Sequence, residues 1–278
     1  MISAYDSGSI YSEDVFLCLP GFLETAIGFD EFVKLVAQDH RAITIDYAGR
    51  GHSERLENFD QYKMSTCLAD VTALVAYALG IEIAERRRLF PTSKTKSKPR
   101  PRIHLVGNSM GGLLAIAFAA QFPGMTETII LNDVGVMVPW SGLFSMIGTI
   151  GRSVSLSSDS FLKSRLEEVA MELDVDPKLL RSTMTPEYAD LAFEKNIQGL
   201  SFHRSFSRIK EPMLLIHSSE SPLVNTTVLQ HMANLNAETS YLTVEGDLHP
   251  VRYSESVVKS ILDFVAKPPQ QNKPTVFL

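Results

Sequence analysis

The chain has 278 residues, 45% of them hydrophobic and 21% charged, and this length suits one large globular domain or a core domain carrying an insertion. Its formal net charge of −6 favours solubility and argues against a general nucleic-acid-binding surface. Two cysteines are too few for a disulfide framework, and no apolar window is long enough to span a bilayer, which excludes disulfide-rich and membrane-spanning classes.

The remaining composition points to a reduced, intracellular setting. The N-terminus lacks the basic stretch and long apolar run of a signal peptide, and Cys18 lies in an apolar run typical of a buried core thiol. The seven histidines are scattered and the cysteines are unpaired, so we expect no metal and no cofactor. We therefore expect a soluble, cytoplasmic protein; the sequence leaves a homodimer open.

Short apolar runs alternate with amphipathic stretches along the chain. Strands are predicted at residues 15–19, 42–45, 103–106, 128–131, 212–216 and 239–244, and helices at 30–39, 65–79, 112–122 and 254–265. This alternation predicts an α/β fold with a doubly wound, mostly parallel sheet, whose functional residues gather at the carboxyl ends of the strands. Polar or turn residues follow predicted strands at Phe22, Asp46, Ser109, Asp133, Glu220 and His249.

Two segments interrupt the alternation and divide the chain. Residues 86–102 are basic, contain proline and lack periodicity, which favours a solvated loop insertion over a surface for an anionic partner or membrane. Residues 136–207 carry helical patterns between two strands of one sheet, so we expect a helical cap above the strand ends. The core then comprises residues 1–135 and 208–278, and the last residues, 267–278, are expected to form an extended tail.

The most informative motif is Gly107-Asn108-Ser109-Met110-Gly111, a G-x-S-x-G between a predicted strand and a predicted helix. Glycines on both sides allow helix and strand to approach closely, and they force the serine into a strained, exposed conformation. The pattern therefore indicates a nucleophilic Ser109, and the alternative is an ordinary glycine-rich turn.

A serine nucleophile needs a base and preformed donors for the oxyanion. His249 is the candidate base because it follows the last long strand and precedes the closing helix. His217 is more typical of a structural residue, and His52 of loop packing or substrate-side lining. The backbone N–H groups of Met110 and Phe22 are the candidate oxyanion donors, although a simple turn would also explain Phe22.

Four motifs together resemble the α/β-hydrolase superfamily of esterases, lipases and C–C hydrolases. They are Pro20-Gly21-Phe22, where the family usually has His-Gly-x, then Asp46-x-x-Gly49-x-Gly51-x-Ser53, the G-x-S-x-G, and His249. The resemblance spans residues 15–265. It implies an acyl-enzyme mechanism and a lid-like cap.

The chain departs from the family pattern in two places. Only fourteen residues precede Val15, so the leading β-hairpin is expected to be shortened or missing. The usual position of the triad acid, in the loop after the next-to-last strand, holds Ser221 or Pro222.

Three carboxylates could replace the missing acid. Asp133 is favoured because certain haloalkane dehalogenases carry their acid at the corresponding strand end. Glu220 and, more weakly, Asp247 are the alternatives. Whichever residue serves, the acid holds the histidine tautomer and stabilises the imidazolium.

The residue types favour a serine-dependent hydrolase of small carboxylic esters. Family dehalogenases and epoxide hydrolases need an aspartate nucleophile, so Ser109 excludes them. A C–C bond hydrolase, a thioesterase and a catalytically silent binding protein stay open, the last favoured only by the displaced acid. Large apolar cap residues are expected mostly to pack, with the underside forming a pocket for a short, medium or aromatic acyl group: Trp140, Phe144, Met146, Phe161, Met184, Phe193, Phe202 and Phe206.

Overall fold

The computed structural model describes most of the predicted core, namely residues 1–22, 24–54, 56–57, 61, 63–80, 100–136, 201–221, 223–246, 249–268 and 276–277. Several predictions concern other parts of the chain. Those for most of the basic segment, for residues 137–200 of the cap, for Pro222 and for Asp247 lie outside the described residues.

A single eight-stranded sheet forms the centre of the described structure. Its strands are β1 Ser3–Gly8, β2 Asp14–Leu19, β3 Arg41–Asp46, β4 Arg102–Asn108, β5 Thr128–Asn132, β6 Met213–Ser218, β7 Thr239–Val244 and β8 Val276–Phe277. The strand order is β1-β3-β2-β4-β5-β6-β7-β8, and each neighbouring pair is parallel except β1 with β3. The prediction of a doubly wound, mostly parallel sheet is confirmed.

The helices pack on both faces of this sheet. They are α1 Asp30–Val36, α2 Met64–Ala78, α3 Met110–Gln121, α4 His203–Phe206, α5 Thr226–Leu235 and α6 Glu255–Ala266, with a 3-10 turn at Ala26–Phe29. Ser254 caps α6, because its side chain accepts the Val257 N–H. The sequence predicts Ser65 as the N-cap of the helix at 65–79, and this prediction is wrong. The helix begins one residue before Ser65, since the Lys63 carbonyl accepts the first helical hydrogen bonds.

Alternating side chains of the parallel strands build two apolar layers. On β2, Leu17 packs in a cluster with residues of α2 and α3, whereas Phe16 packs in a second cluster with residues of α1 and α6. Cys18 belongs to the second cluster and is fully buried, which raises the pKa of its thiol. Both cysteines, Cys18 and Cys67, are free thiols, and the expected burial of Cys18 is confirmed.

Three described elements had no counterpart in the sequence prediction. The strand β1 pairs antiparallel with β3 at the sheet edge, so a single leading strand stands where a hairpin was expected to be shortened or missing. Its side chains are mostly exposed and carry no apolar pattern. Backbone pairing and the two hydrogen bonds from Arg41 to Asp6, at 2.9 and 2.6 Å, hold it in place. The helix α5 was not predicted, and the tail contributes the short strand β8.

The two ends of the segment assigned to the cap lie side by side. The Phe202 N–H donates to the Val136 carbonyl at 3.0 Å, and Phe206 of α4 is fully buried in the α2–α3 side of the core. The chain therefore leaves β5 and returns toward β6 at one point above the sheet. The cap itself and the domain boundaries stay predictions.

Asp70 of α2 gives a test of how burial of a carboxylate affects stability. Its side chain is 8% exposed, its Oδ2 accepts the Ala48 N–H at 3.2 Å, and burial raises its pKa from 3.8 to about 6. Because the folded state holds this proton more tightly than the unfolded state, stability falls as the pH rises from about 4 to about 6. We expect Asp70→Asn to raise the free energy of unfolding by about 1 to 2 kcal/mol near pH 7.5, and by about 0.5 kcal/mol or less near pH 4.

Urea unfolding at the two pH values measures this difference. The exposed Asp39 provides the control, since Asp39→Asn is expected to change little at either pH. An equal effect of Asp70→Asn at both pH values would show that ionisation of Asp70 carries no penalty.

Candidate active site

Ser109 lies in a strained turn between β4 and α3. Its backbone has φ 47° and ψ −114°, and its N–H donates to the Asn132 carbonyl at 3.0 Å. A Cβ on Gly107 would lie 2.5 Å from the backbone of Gly111, and a Cβ on Gly111 would lie 1.9 Å from the Leu19 carbonyl oxygen. Only glycine fits at either position, so the sharp turn that the motif predicts is present and Ser109 is partly exposed.

His249 and Asp133 form a close pair at the same edge of the sheet. His249 Nδ1 lies 2.6 Å from Asp133 Oδ2; the carboxylate is fully buried and the histidine is 9% exposed. Asp133 has φ 51°, and within the described residues it shares a positive φ with Ser109 alone among non-glycine residues. Strained backbone of this kind concentrates at functional sites.

The structure separates the two described candidates for the acid. Asp133 follows β5, which lies between β4 and β6, and its N–H donates to the Ile216 carbonyl at 2.7 Å. Glu220 is exposed, and its own N–H donates to Ser218 Oγ at 3.1 Å. Of these two candidates, Asp133 is therefore the one hydrogen-bonded to His249.

Ser221, at the usual position of the acid, supports Asp133. Its Oγ donates to Asp133 Oδ2 at 2.7 Å, and accepts the N–H groups of Leu223 at 3.1 Å and Val224 at 2.9 Å. Asp133 Oδ2 thus accepts hydrogen bonds from both Ser221 and His249. The other oxygen, Oδ1, is buried with no hydrogen-bond partner in the described part of the chain.

Asn132 joins the nucleophile turn to the histidine loop. Its carbonyl accepts the Ser109 N–H, while its side-chain amide donates to the Val251 carbonyl at 2.8 Å and accepts the Val251 N–H at 3.0 Å. Asn132, the last residue of β5, therefore fixes the backbone at Ser109 and the segment that follows His249 relative to each other. Sequence reasoning missed this role, because Asn132 and Val251 are 119 residues apart.

The candidate oxyanion loop rests on a buried glutamate that the sequence did not single out. Glu24 Oε2 accepts the Gly21 N–H at 2.6 Å and the Asn108 side-chain amide at 3.1 Å. Burial raises the pKa of Glu24, and these two hydrogen bonds oppose the rise. Phe22 follows Gly21 in this turn, and Met110 is the first residue of α3.

The loop and the start of α3 are in contact. A Cβ on Gly111 would meet the carbonyl oxygens of both Leu19 and Pro20. The turn that carries Phe22 therefore leaves β2 directly beside Gly111, in the first turn of α3 and two residues after Ser109. This arrangement fits the expectation that the Phe22 and Met110 amides serve one oxyanion.

The other histidines noted in the sequence have structural contacts. His217 Nε2 lies 2.9 Å from Thr243 Oγ1, and burial lowers the pKa of His217. The exposed ring of His52 lies 2.6 Å from the Tyr5 hydroxyl, and the backbone N–H of His52 donates to Asp46 Oδ2 at 3.0 Å. Both contacts agree with the structural interpretations of these histidines.

The described residues hold neither a metal-ligand cluster nor a bilayer-spanning helix. Within them, no three His, Cys, Asp or Glu side chains are grouped as metal ligands would be. Across the same part of the chain, no helix combines the length and apolar character that a bilayer span requires.

Comparison with known proteins identifies relatives along nearly the whole chain. Residues 16–251 match the family model described as "Alpha/beta hydrolase family". A serine hydrolase-like protein of Danio rerio is 23% identical over 283 residues, covering 90% of this chain and 80% of that protein.

Solved structures show the same architecture. A thermophilic esterase from Thermogutta terrifontis superposes with a TM-score of 0.72 at 15% identity, covering 96% of this chain and 93% of that chain. A thioesterase domain from the curacin biosynthetic pathway gives 0.64 at 20% identity, covering 95% and 94%. At these identities the likeness establishes the fold.

Proposed function

The chain belongs to the alpha/beta hydrolase family, and from this premise we propose that it is a serine-dependent hydrolase of small carboxylic esters. In this proposal Ser109 is the nucleophile, His249 is the general base and Asp133 is the acid that orients it. The Phe22 and Met110 N–H groups bind the oxyanion. The segment 136–207 forms a cap whose underside accommodates a short, medium or aromatic acyl group, and the enzyme acts in the cytoplasm.

The reaction proceeds through an acyl-enzyme. Ser109 Oγ attacks the ester carbonyl carbon while His249 Nε2 takes the hydroxyl proton, and the two N–H donors stabilise the negative oxygen of the tetrahedral intermediate. His249 then gives the proton to the departing alcohol. In the second half, His249 takes a proton from water as the water oxygen attacks the acyl carbon. The second tetrahedral intermediate then collapses, the bond from the acyl carbon to Ser109 Oγ breaks, His249 returns the proton to Oγ, and the free acid leaves.

Asp133 determines which nitrogen of His249 takes part in this proton transfer. A carboxylate at Nδ1 holds that nitrogen protonated, so that Nε2 is the basic nitrogen, and it stabilises the imidazolium that forms during each half-reaction. The hydrogen bond of 2.6 Å between His249 Nδ1 and Asp133 Oδ2 is the observation that carries the proposal. A silent binding protein would not require a strained serine together with a buried His249–Asp133 hydrogen bond at the same edge of the sheet.

A substrate panel tests the proposed reaction class. The panel contains p-nitrophenyl acetate, butyrate, octanoate and benzoate, the matching acyl thioesters, and a vinylogous diketone of the kind that C–C hydrolases cleave. We expect kcat/KM to be highest for one of the oxygen esters, with activity that Ser109→Ala removes. A preference of about tenfold or more for a thioester or for the diketone would reassign the substrate class. No turnover of any compound by the folded wild-type protein would favour the silent alternative.

A further inference from the structure

Glu24 is a buried carboxylate that the proposed reaction does not use. It is 5% exposed and follows the Gly21–Phe22 turn. A charged group that is buried in this way is unfavourable unless its hydrogen bonds compensate for the lost hydration. We propose that Glu24 is a positioning residue, which holds the oxyanion loop in register with the nucleophile turn. This inference rests on the proposed function, because it concerns the geometry of the same oxyanion site.

The first contact of Glu24 is with the loop itself. Its Oε2 accepts the Gly21 N–H at 2.6 Å, and its own backbone N–H donates to the Gly21 carbonyl at 3.3 Å. Both polar groups of Gly21 are thus held by one residue three positions along the chain. A Cβ on Gly21 would come within 3.0 Å of the carboxylate, so the two residues are in close contact.

The Gly21 carbonyl determines the direction of the Phe22 N–H. A trans peptide is planar, and its C=O and N–H point in opposite directions. The Gly21 oxygen accepts the Glu24 N–H and, at 3.5 Å, Arg50 Nη1, whose buried guanidinium lies 5.0 Å from the centre of the Phe22 ring. The Phe22 N–H is therefore directed away from Arg50, and we assign that direction to the oxyanion.

The second contact of Glu24 is with the nucleophile turn. The Asn108 side-chain amide donates to Glu24 Oε2 at 3.1 Å, and Asn108 is the residue before Ser109. Asn108 Oδ1 in turn accepts the hydroxyl of the buried Tyr253 at 2.5 Å. Glu24 thus connects the oxyanion loop to the nucleophile turn directly, and to the segment that follows His249 through Asn108 and Tyr253. Apolar side chains could not make these hydrogen bonds.

Three variants of Glu24 test this role with the best ester of the panel. Glu24→Ala leaves the Gly21 N–H and the Asn108 amide without an acceptor, so we expect kcat to fall by about 10- to 100-fold, less than the loss of a whole oxyanion donor. We expect KM to change by less than about threefold, because the loop acts on the charged intermediate more than on the bound ester.

Glu24→Gln should restore most of kcat. Its amide oxygen can accept the Gly21 N–H, and its NH2 group can donate to Asn108 once that side chain turns its oxygen toward residue 24. Tyr253 can then accept from the Asn108 NH2 group. If Glu24→Ala does not fold, Glu24→Asp carries the test, since its shorter side chain withdraws the carboxylate from Gly21 and should lower kcat in the same direction.

Glu211 provides a matched control at the opposite edge of the sheet. It is 9% exposed, and its carboxylate accepts the Gly124 N–H at 2.6 Å, which copies the Glu24–Gly21 contact away from the site. We expect Glu211→Ala to lower the Tm about as much as Glu24→Ala does, while it keeps the kcat of the wild-type protein. The proposal is overturned if Glu24→Ala, or Glu24→Asp in its place, keeps the kcat of Glu211→Ala, or if Glu24→Gln is as impaired as Glu24→Ala. Failure of the proposed function would instead appear in the wild-type protein, as an absence of Ser109-dependent turnover.

Discussion

Asp133→Asn is expected to lower kcat for a p-nitrophenyl ester by about four orders of magnitude, whereas Glu220→Gln should leave it within about twofold. Asp133 Oδ2 lies 2.6 Å from His249 Nδ1, and the carboxylate is fully buried. Asparagine keeps the shape of the side chain but can offer an N–H to Nδ1, which then becomes the acceptor nitrogen. His249 Nε2 would carry the proton and could no longer act as the base.

The same two variants distinguish a loss of His249 orientation from a loss of protein stability. Glu220 is exposed and lies in the loop where the acid usually stands, so its replacement by glutamine is a conservative control close to the site. Thermal unfolding of each variant shows how much of any loss is due to destabilisation. A fall of kcat by orders of magnitude in Glu220→Gln alone would make the His249–Asp133 hydrogen bond a structural contact and Glu220 the acid.

Ser109→Ala and His249→Ala are each expected to lower kcat by about six orders of magnitude, and the double variant by no more than either single variant. The serine attacks only as its proton passes to the histidine, so removing either side chain removes the same step. Residual turnover above the uncatalysed rate would come from binding and from the oxyanion donors alone.

His217 supplies the control for histidine replacement. It is buried near the end of β6 and lies 2.9 Å from Thr243 Oγ1, so His217→Gln should keep kcat within about threefold even if the Tm falls. Losses that multiply in the Ser109→Ala/His249→Ala double variant would mean that the two side chains act in separate steps, which contradicts the proposed mechanism.

The central strands could be predicted from the sequence because both of their faces are buried. Continuous apolar runs such as 15–19 and 103–106 coincide with β2 and β4, and turns or helices mark their ends. The edge strand β1 could not be predicted this way. Its residues Ser3–Gly8 are mostly exposed, and backbone pairing with β3 rather than an apolar pattern determines its structure.

In the candidate site, too, residues fixed by local sequence could be predicted, and residues fixed by contacts distant in the chain could not. Ser109 was identifiable because its conformation depends on glycines two residues away on either side, which is a local signal. The acid was ambiguous because its choice depends on which strand end approaches His249, 116 residues from Asp133 along the chain. Glu24 was missed for the same reason, since its partner Asn108 is 84 residues away.

Labelling with a fluorophosphonate tests the central claim most directly, because the reagent phosphonylates a serine only where a base and an oxyanion site activate it. Intact-mass analysis followed by peptide mapping should find one adduct on Ser109 in the wild-type protein, none in Ser109→Ala, and a greatly slowed reaction in Asp133→Asn. Wild-type protein that is folded yet unlabelled would contradict the assignment of this chain as a serine hydrolase, and an adduct on any serine other than Ser109 would contradict Ser109 as its nucleophile.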